Sequence, residues 1–146
     1  MNHLIISCTG NKLDEASRAI NLYQARQFKI AKELLSRGWL VTILSAKYGF
    51  VADNEIVETY DLKMDRSLSD RFIQRYKESE RKYFSDAIKF RFLCIRSNYV
   101  YGGENYRRIV RALDPNVTEL VGQNRGNGDH YSALKALLLN SNNGGN

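Results

Sequence analysis

Hydrophobic positions along the chain alternate between short continuous runs and longer stretches spaced at three and four residues. The driest run is Leu40-Val41-Thr42-Ile43-Leu44, which breaks into Ser45-Ala46-Lys47-Tyr48-Gly49-Phe50. A run so short and β-branched reads as a buried strand, and Gly49 can turn the backbone after it. His3-Leu4-Ile5-Ile6-Ser7 reads as an earlier strand, followed by the polar loop Cys8-Thr9-Gly10-Asn11-Lys12. Between the two, Ala19, Leu22, Tyr23, Ile30, Ala31, Leu34 and Leu35 recur at helical spacing, with Phe28 adding bulk. That pattern predicts one amphipathic helix over 19–37, closed by Gly38. Strand, helix and strand in this order predict a right-handed βαβ unit with parallel strands.

Downstream, 55–64 reads as irregular or briefly extended around Thr59-Tyr60-Asp61. Ser67 and Ser69 are candidate caps for a polar helix reaching about Phe84. Its apolar stripe is Phe72, Ile73, Tyr76, Tyr83 and Phe84, set among Arg71, Arg75, Lys77, Arg81 and Lys82. Residues 90–101 read as a further strand interrupted at Arg96-Ser97-Asn98. Gly102-Gly103-Glu104-Asn105-Tyr106 leads into a short basic helix to Leu113, ended by Asp114-Pro115. A short strand over 117–121, a loop over 122–130 and a last helix over 131–139 complete the pattern. The fold class predicted is α/β. Residues 1–139 form one three-layer sandwich about a mostly parallel central sheet of about four strands, and 140–146 form a disordered tail.

Composition narrows the function. The chain has 146 residues, enough to bury a core without disulfides or metal. Lysine and arginine outnumber the acids by 22 to 16, a net charge of +6, which favours nucleic acid or a nucleotide as partner. Cys8 and Cys94 lie far apart, pointing to a reduced cytoplasmic setting rather than a disulfide framework. No run approaches the ~20 apolar residues that span a bilayer, so no membrane partner is expected. No charged segment precedes the first strand, so no secretory leader is expected either. The pattern G-x-x-x-x-G-K-[ST] is absent, and Gly126-Asn127-Gly128 lacks the third glycine of a dinucleotide fingerprint. Two histidines and two cysteines at wide spacing give no zinc pattern, so neither metal nor cofactor is expected.

Candidate chemistry follows from the strand ends. Loops 7–12, 45–49, 102–106 and 122–130 would share the carboxyl edge of a parallel sheet, where open α/β folds bind ligands. That edge would gather Ser7, Cys8, Thr9, Lys12, Ser45, Lys47, Tyr48, Glu104, Asn105, Tyr106, Asn124, Arg125 and His130, with Gly49 a further substrate-binding candidate. Lys12 and Lys47 could attack a substrate or clamp an anion, though surface lysines that snorkel explain the pattern as well. Glu104 could serve as acid–base group or ribose anchor, or simply complement a helix dipole. Cys8 could be an activated thiol or an inert buried one. Backbone N–H groups at Gly10, Gly102 and Gly103 could hold a phosphate. Asp61 could accept a base N–H or form a turn, and Tyr48, Tyr60 and Tyr106 could stack on a base or fill the core.

Several motifs together resemble a known group. They are Ser7-Cys8-Thr9-x-x-Lys12, Leu22-Tyr23 with Phe28, Ile43-Leu44-Ser45-Ala46-Lys47-Tyr48-Gly49-Phe50-Val51, Tyr60-Asp61-Leu62-Lys63-Met64 and Gly102-x-x-x-Tyr106. The set resembles small phage, bacterial and archaeal domains of unknown function, which look related to the YaaA-like peroxide stress proteins. The Cys8-to-Lys12 spacing is also similar to a motif of archaeosine synthase, whose lysine attacks a deazaguanine base in tRNA. Glu58-Thr59 stands where those relatives carry a proline before the tyrosine. The resemblance implies an α/β domain tied to nucleic-acid bases, especially modified ones.

The expected function is an enzyme directed at a nucleobase, nucleoside or nucleotide, working at an N-glycosidic bond or an exocyclic modification. Lys47, Lys12 and Glu104 would be its catalytic groups. Two alternatives stand beside it. One is a non-catalytic nucleic-acid module using the basic stretches 71–82 and 107–111; the other is a small inhibitor or adaptor that binds a protein.

Overall fold

The structure is a computed structural model that describes residues 2–8, 10–78, 84–93, 97–122 and 127–143. Along the chain its elements are β1 (Asn2–Ser7), β2 (Ser17–Arg18), α1 (Ala19–Leu22), α2 (Gln27–Ser36), β3 (Leu40–Ser45), β4 (Gly49–Ala52) and β5 (Ile56–Val57). They continue with α3 (Arg66–Glu78), α4 (Asp86–Leu93), β6 (Ser97–Tyr101), α5 (Glu104–Leu113), β7 (Thr118–Glu119) and α6 (Asn127–Asn143). The central sheet has the order β4-β3-β1-β6-β7. β3, β1, β6 and β7 are parallel, and β4 runs antiparallel at the edge. β2 and β5 form a separate antiparallel pair.

Leu4, Ile5 and Ile6 in β1 and Val41, Ile43 and Leu44 in β3 are fully buried, as strands covered on both faces require. The step from β1 to β3 runs one way along the sheet and the step from β3 to β6 the other. Right-handed crossovers therefore put α2 and the α3–α4 pair on opposite faces. α6 packs on α2 and α5 packs on α3, completing three layers. The strand order reverses between β1 and β6, so the crevice beyond Ser7 and Tyr101 is the topological switch point.

The sheet has five strands rather than four because 46–48 is a hairpin turn. Gly49, at φ +73°, lets the chain reverse, and Gly49–Ala52 returns along β3. The single helix expected over 19–37 is two helices. Tyr23 is extended (φ −91°, ψ 133°) and bridges to Lys12, because the Leu13 N–H reaches Leu22 O at 2.8 Å and the Gln24 N–H reaches Asn11 O at 2.8 Å. α3 is capped by Asp65, whose Oδ1 accepts the Leu68 N–H at 2.7 Å. Of the expected caps, Ser69 does something else: its hydroxyl is buried and donates to Asn105 O at 2.7 Å.

Residues 90–93 belong to α4, and the strand begins only at Ser97. The reason is a helical stripe, since Phe84 and Ile88 are buried and the rings of Phe84 and Phe92 both pack on Phe50. α6 takes in 127–130 of the expected loop and 140–143 of the expected tail. Its end is tied down by Arg37, which donates to Leu138 O at 2.9 Å and Ser141 Oγ at 3.2 Å. Tyr83, Arg81, Lys82, Cys94 and Arg96 lie outside the described residues. Among the described residues no helix is long and apolar enough to cross a membrane.

Polar groups at the amino edge of the sheet form one chain. Asn98 Nδ2 donates to Asp114 Oδ2 at 2.9 Å, and Asn98 Oδ1 meets His3 Nδ1 at 2.9 Å. His3 Nε2 meets Thr42 Oγ1 at 2.6 Å, and Arg91 donates to Thr42 Oγ1 at 3.1 Å, to Val41 O, and to Asp53 at 2.9 Å. Every link is satisfied when His3 is neutral with its proton on Nδ1, so that Thr42 donates to Nε2 and accepts from Arg91. Burial holds the His3 pKa down to about 4.

Candidate functional site

Beyond the carboxyl ends of β1 and β3, a hydroxyl cluster fixes the tyrosines. Ser45 is fully buried; its Oγ accepts the N–H groups of Lys47 at 3.1 Å and Tyr48 at 3.0 Å and donates to the Tyr60 hydroxyl at 2.8 Å. The Tyr60 hydroxyl in turn meets that of Tyr23 at 2.8 Å. Cys8 Sγ accepts the Ala46 N–H at 3.3 Å and lies 3.2 Å from the Tyr106 hydroxyl, which donates to Cys8 O at 3.1 Å. Cys8 is 5 % exposed and unbridged, a thiol locked into packing. Burial pushes the Tyr23 phenol up to about 12 and, with Cys8 adding to it, holds Tyr60 and Tyr106 well above the ordinary tyrosine range. All three are neutral hydroxyls at physiological pH.

The two lysines meet this cluster. Lys12 Nζ lies 4.6 Å from the centre of the Tyr60 ring and 5.7 Å from that of Tyr23. Lys47 Nζ lies 5.3 Å from the Tyr48 ring centre, and the Tyr48 and Tyr60 rings meet edge-on at 5.5 Å. Aromatic faces attract a cation, so both ammonium groups border one aromatic shelf. Lys12 also lines a cavity of about 570 Å³ with Cys8, Gly10, Asn11, Asp61, Leu62, Lys63, Met64 and Tyr106.

A second cavity, of about 310 Å³, lies at the switch point and is lined by Ser7, Ala25, Arg26, Gln27, Tyr101, Gly102, Gly103 and His130. Gly102 is needed for close approach: a Cβ there would stand 2.5 Å from Ser7 Oγ. Ser7 is 1 % exposed, and its Oγ has no hydrogen-bond partner among the described residues.

Glu104 lies elsewhere. It lines a third cavity, of about 340 Å³, with Arg107, Arg111 and Glu119. Its carboxylate pairs with Arg107 at 3.1 Å and Arg111 at 3.2 Å, and Glu119 pairs with the same arginines at 2.9 and 2.6 Å. Hydrogen bonding from Arg111 holds the Glu119 carboxyl below its usual range, and Glu119 in turn raises Arg111. Arg108 pairs with Asp70 at 2.6 Å. The basic stretch 107–111 thus directs its arginines to carboxylates of the same chain.

The structure therefore brings Cys8, Lys12, Asp61 and Tyr106 to one cavity, with Ser45, Lys47, Tyr48 and Tyr60 on the shelf beside it. Ser7, Gly102 and Gly103 line the switch-point cavity, and Glu104 is not brought to the lysines. Gly49 is buried against α3, where a Cβ would run into the Tyr76 hydroxyl, so it serves the hairpin. Thr9, Asn124 and Arg125 lie outside the described residues. Arg26 was hidden from sequence reasoning by the assumption of one continuous helix, and Tyr23 was read as a core position of that helix and part of the Leu22-Tyr23 motif rather than as a site residue. Among the described residues no group of His, Cys, Asp and Glu is gathered to hold a metal ion.

A family model described as "Family of unknown function (DUF6884)" matches residues 4–128. No curated protein and no solved structure matches the chain.

Proposed function

The chain belongs to the DUF6884 family, and from its site we propose an enzyme acting on a nucleobase, nucleoside or nucleotide, at an N-glycosidic bond or an exocyclic base modification. One observation carries this reading: the Lys12 ammonium sits over the Tyr60 ring at 4.6 Å, at the wall of a cavity that also holds Asp61. A base in that cavity would find a carboxylate to accept its N–H, a cation for its electron-rich edge and apolar walls from Leu62 and Met64. Ser45 and Tyr23 fix the Tyr60 hydroxyl, so the ring under Lys12 cannot swing away. Such preorganisation is what makes a charged group effective in a reaction.

Lys12 is the principal group, clamping an anionic or electron-rich atom or attacking it, and Lys47 with Tyr48 forms the rim. Glu104 has no step in this reading because Arg107 and Arg111 hold it in another cavity. The resemblance to YaaA-like proteins and to the lysine motif of archaeosine synthase supports the same substrate class, and the free thiol of Cys8 accords with a cytoplasmic setting. A purely nucleic-acid-binding module is less well supported, since Arg107, Arg108 and Arg111 are engaged by acids.

The test is mass-spectrometric detection of base release or base modification across nucleosides, nucleotides and nucleic acids. Lys12→Ala should keep the native circular dichroism spectrum and lose about a hundredfold or more in turnover. Undiminished turnover in that variant removes Lys12 from the chemistry. Binding that weakens steeply with salt, with no product from any substrate, would favour the binding module.

A further inference from the structure

Among the described residues the switch-point cavity shares no lining residue with the Lys12 cavity, and nothing in the base-directed reading uses it. We propose that it binds a phosphoryl group.

Four features of different kinds meet there. First, α2 and α5, each ten residues long, both begin at its wall, and neither has a side-chain cap. The opening N–H groups of α5, at Glu104 and Asn105, have no partner within the helix, and such N–H groups carry the positive end of the helix dipole. Second, Ser7 lines the cavity with a buried hydroxyl that no described residue engages. A buried O–H left without a partner is a net cost to the fold, and a phosphoryl oxygen is an acceptor that would remove it. Third, glycine at 102 keeps the wall beside Ser7 bare, since a Cβ there would fill the space next to Oγ. Fourth, the side chains supply donors and charge. The Arg26 guanidinium lies 3.9 Å from the Tyr131 ring centre, which orients it. His130 Nδ1 accepts the Gly122 N–H at 3.0 Å, so its neutral ring carries the proton on Nε2 as a further donor.

The charge balance agrees. Among the described residues no carboxylate lines this cavity. Glu104, next in sequence to Gly103, is turned to Arg107 and Arg111 and lines the neighbouring cavity. Uncapped helix N-termini, a guanidinium and convergent O–H and N–H donors suit a dianion with several acceptor oxygens. The position is also the one where an open α/β sheet presents such a site, where strand order reverses. The volume of about 310 Å³ leaves room for more than the phosphoryl group itself, so it could belong to a nucleotide or to free phosphate.

The full chain, labelled for two-dimensional NMR, would be titrated with inorganic phosphate, adenosine 5′-monophosphate and adenosine at fixed ionic strength. Saturable shifts at Ser7, Arg26, Gly102 and Gly103 with the two phosphorylated probes, and none there with adenosine, are expected. Arg26 is exposed, so Arg26→Ala should fold normally and weaken both by about tenfold or more, while Arg66→Ala, on the far face, should not. Tighter binding of the nucleotide identifies a nucleotide phosphate as the source; equal binding identifies free phosphate. Shifts that sodium chloride reproduces, or affinity untouched by Arg26→Ala, overturn the proposal. Phosphate binding that survives Lys12→Ala keeps this site apart from the fate of the base-directed reading.

Discussion

The two edges of the central sheet differ in how completely they pair their buried polar groups. At the amino edge, Asp114, Asn98, His3, Thr42, Arg91 and Asp53 form an unbroken chain in which each donor meets an acceptor. At the carboxyl edge, Ser7 is as deeply buried, yet its hydroxyl meets nothing among the described residues. Both edges are built from the same strands, β1 supplying His3 to one and Ser7 to the other. The fold can therefore satisfy a buried polar group, and it does so at the carboxyl edge too, where Ser45 bonds the Tyr60 hydroxyl and two backbone N–H groups; among the described residues Ser7 is the exception. Complete pairing at the amino edge fits an end that holds the sheet together, and the single unpaired hydroxyl of Ser7 is where the proposed phosphoryl site and the fold's own needs diverge.

The largest effect that would sharpen this contrast is at Arg91. Its guanidinium is 7 % exposed and ties Val41 O, Thr42 and Asp53 together. Removing one partner of a buried ion pair leaves the other uncompensated, at about 3–5 kcal/mol. Arg91→Met should lower the free energy of urea unfolding by about 3 kcal/mol. A loss under about 1 kcal/mol, in the range of an exposed ion pair, would show that the amino edge is not a structural clamp.

His3 gives the next effect, through pH. Its folded pKa, about 4, lies below the ordinary 6.5 because burial disfavours the imidazolium. The unfolded chain therefore binds the proton more readily. The stabilisation is complete above pH 6.5 and is lost as pH falls toward 4, at about 1.4 kcal/mol per pH unit and about 3 kcal/mol in all. Unfolding measured across that window should show this slope in the wild type and a flatter one in His3→Gln. Parallel curves for the two proteins would mean that His3 takes up its proton without leaving the network.

How much of this was legible in the sequence depends on whether a signal is local. The parallel strands were readable because Leu4, Ile5, Ile6 and Val41, Ile43, Leu44 form short dry runs. The placing of Ser7, Cys8, Lys12 and Ser45 at one edge followed from strand direction alone. The β3–β4 hairpin was missed because Gly49 was read as a turn within the loop 45–49, and a turn's return strand has no signal apart from its partner. The four-residue spacing of Phe84, Ile88 and Phe92 was visible, but the aromatic run after it reads equally as strand. The separation of Glu104 from the lysines could not be read at all. It depends on Arg107 and Arg111 outcompeting other partners, and ion pairing is settled in three dimensions.

The smallest effect is the most discriminating, because its sign is the reverse of the other two. If the Ser7 hydroxyl is left unpaired by the fold, deleting it should help the fold. Ser7→Ala keeps the Cβ packed against Gly102 and removes only the buried oxygen, so the protein without ligand should gain about 1 kcal/mol in urea unfolding. The same variant should bind inorganic phosphate more weakly. A gain in stability joined to a loss of affinity is what a group kept for binding produces. A loss of stability instead would mean that Ser7 is satisfied in solution, and the two edges of the sheet would then differ in composition but not in kind.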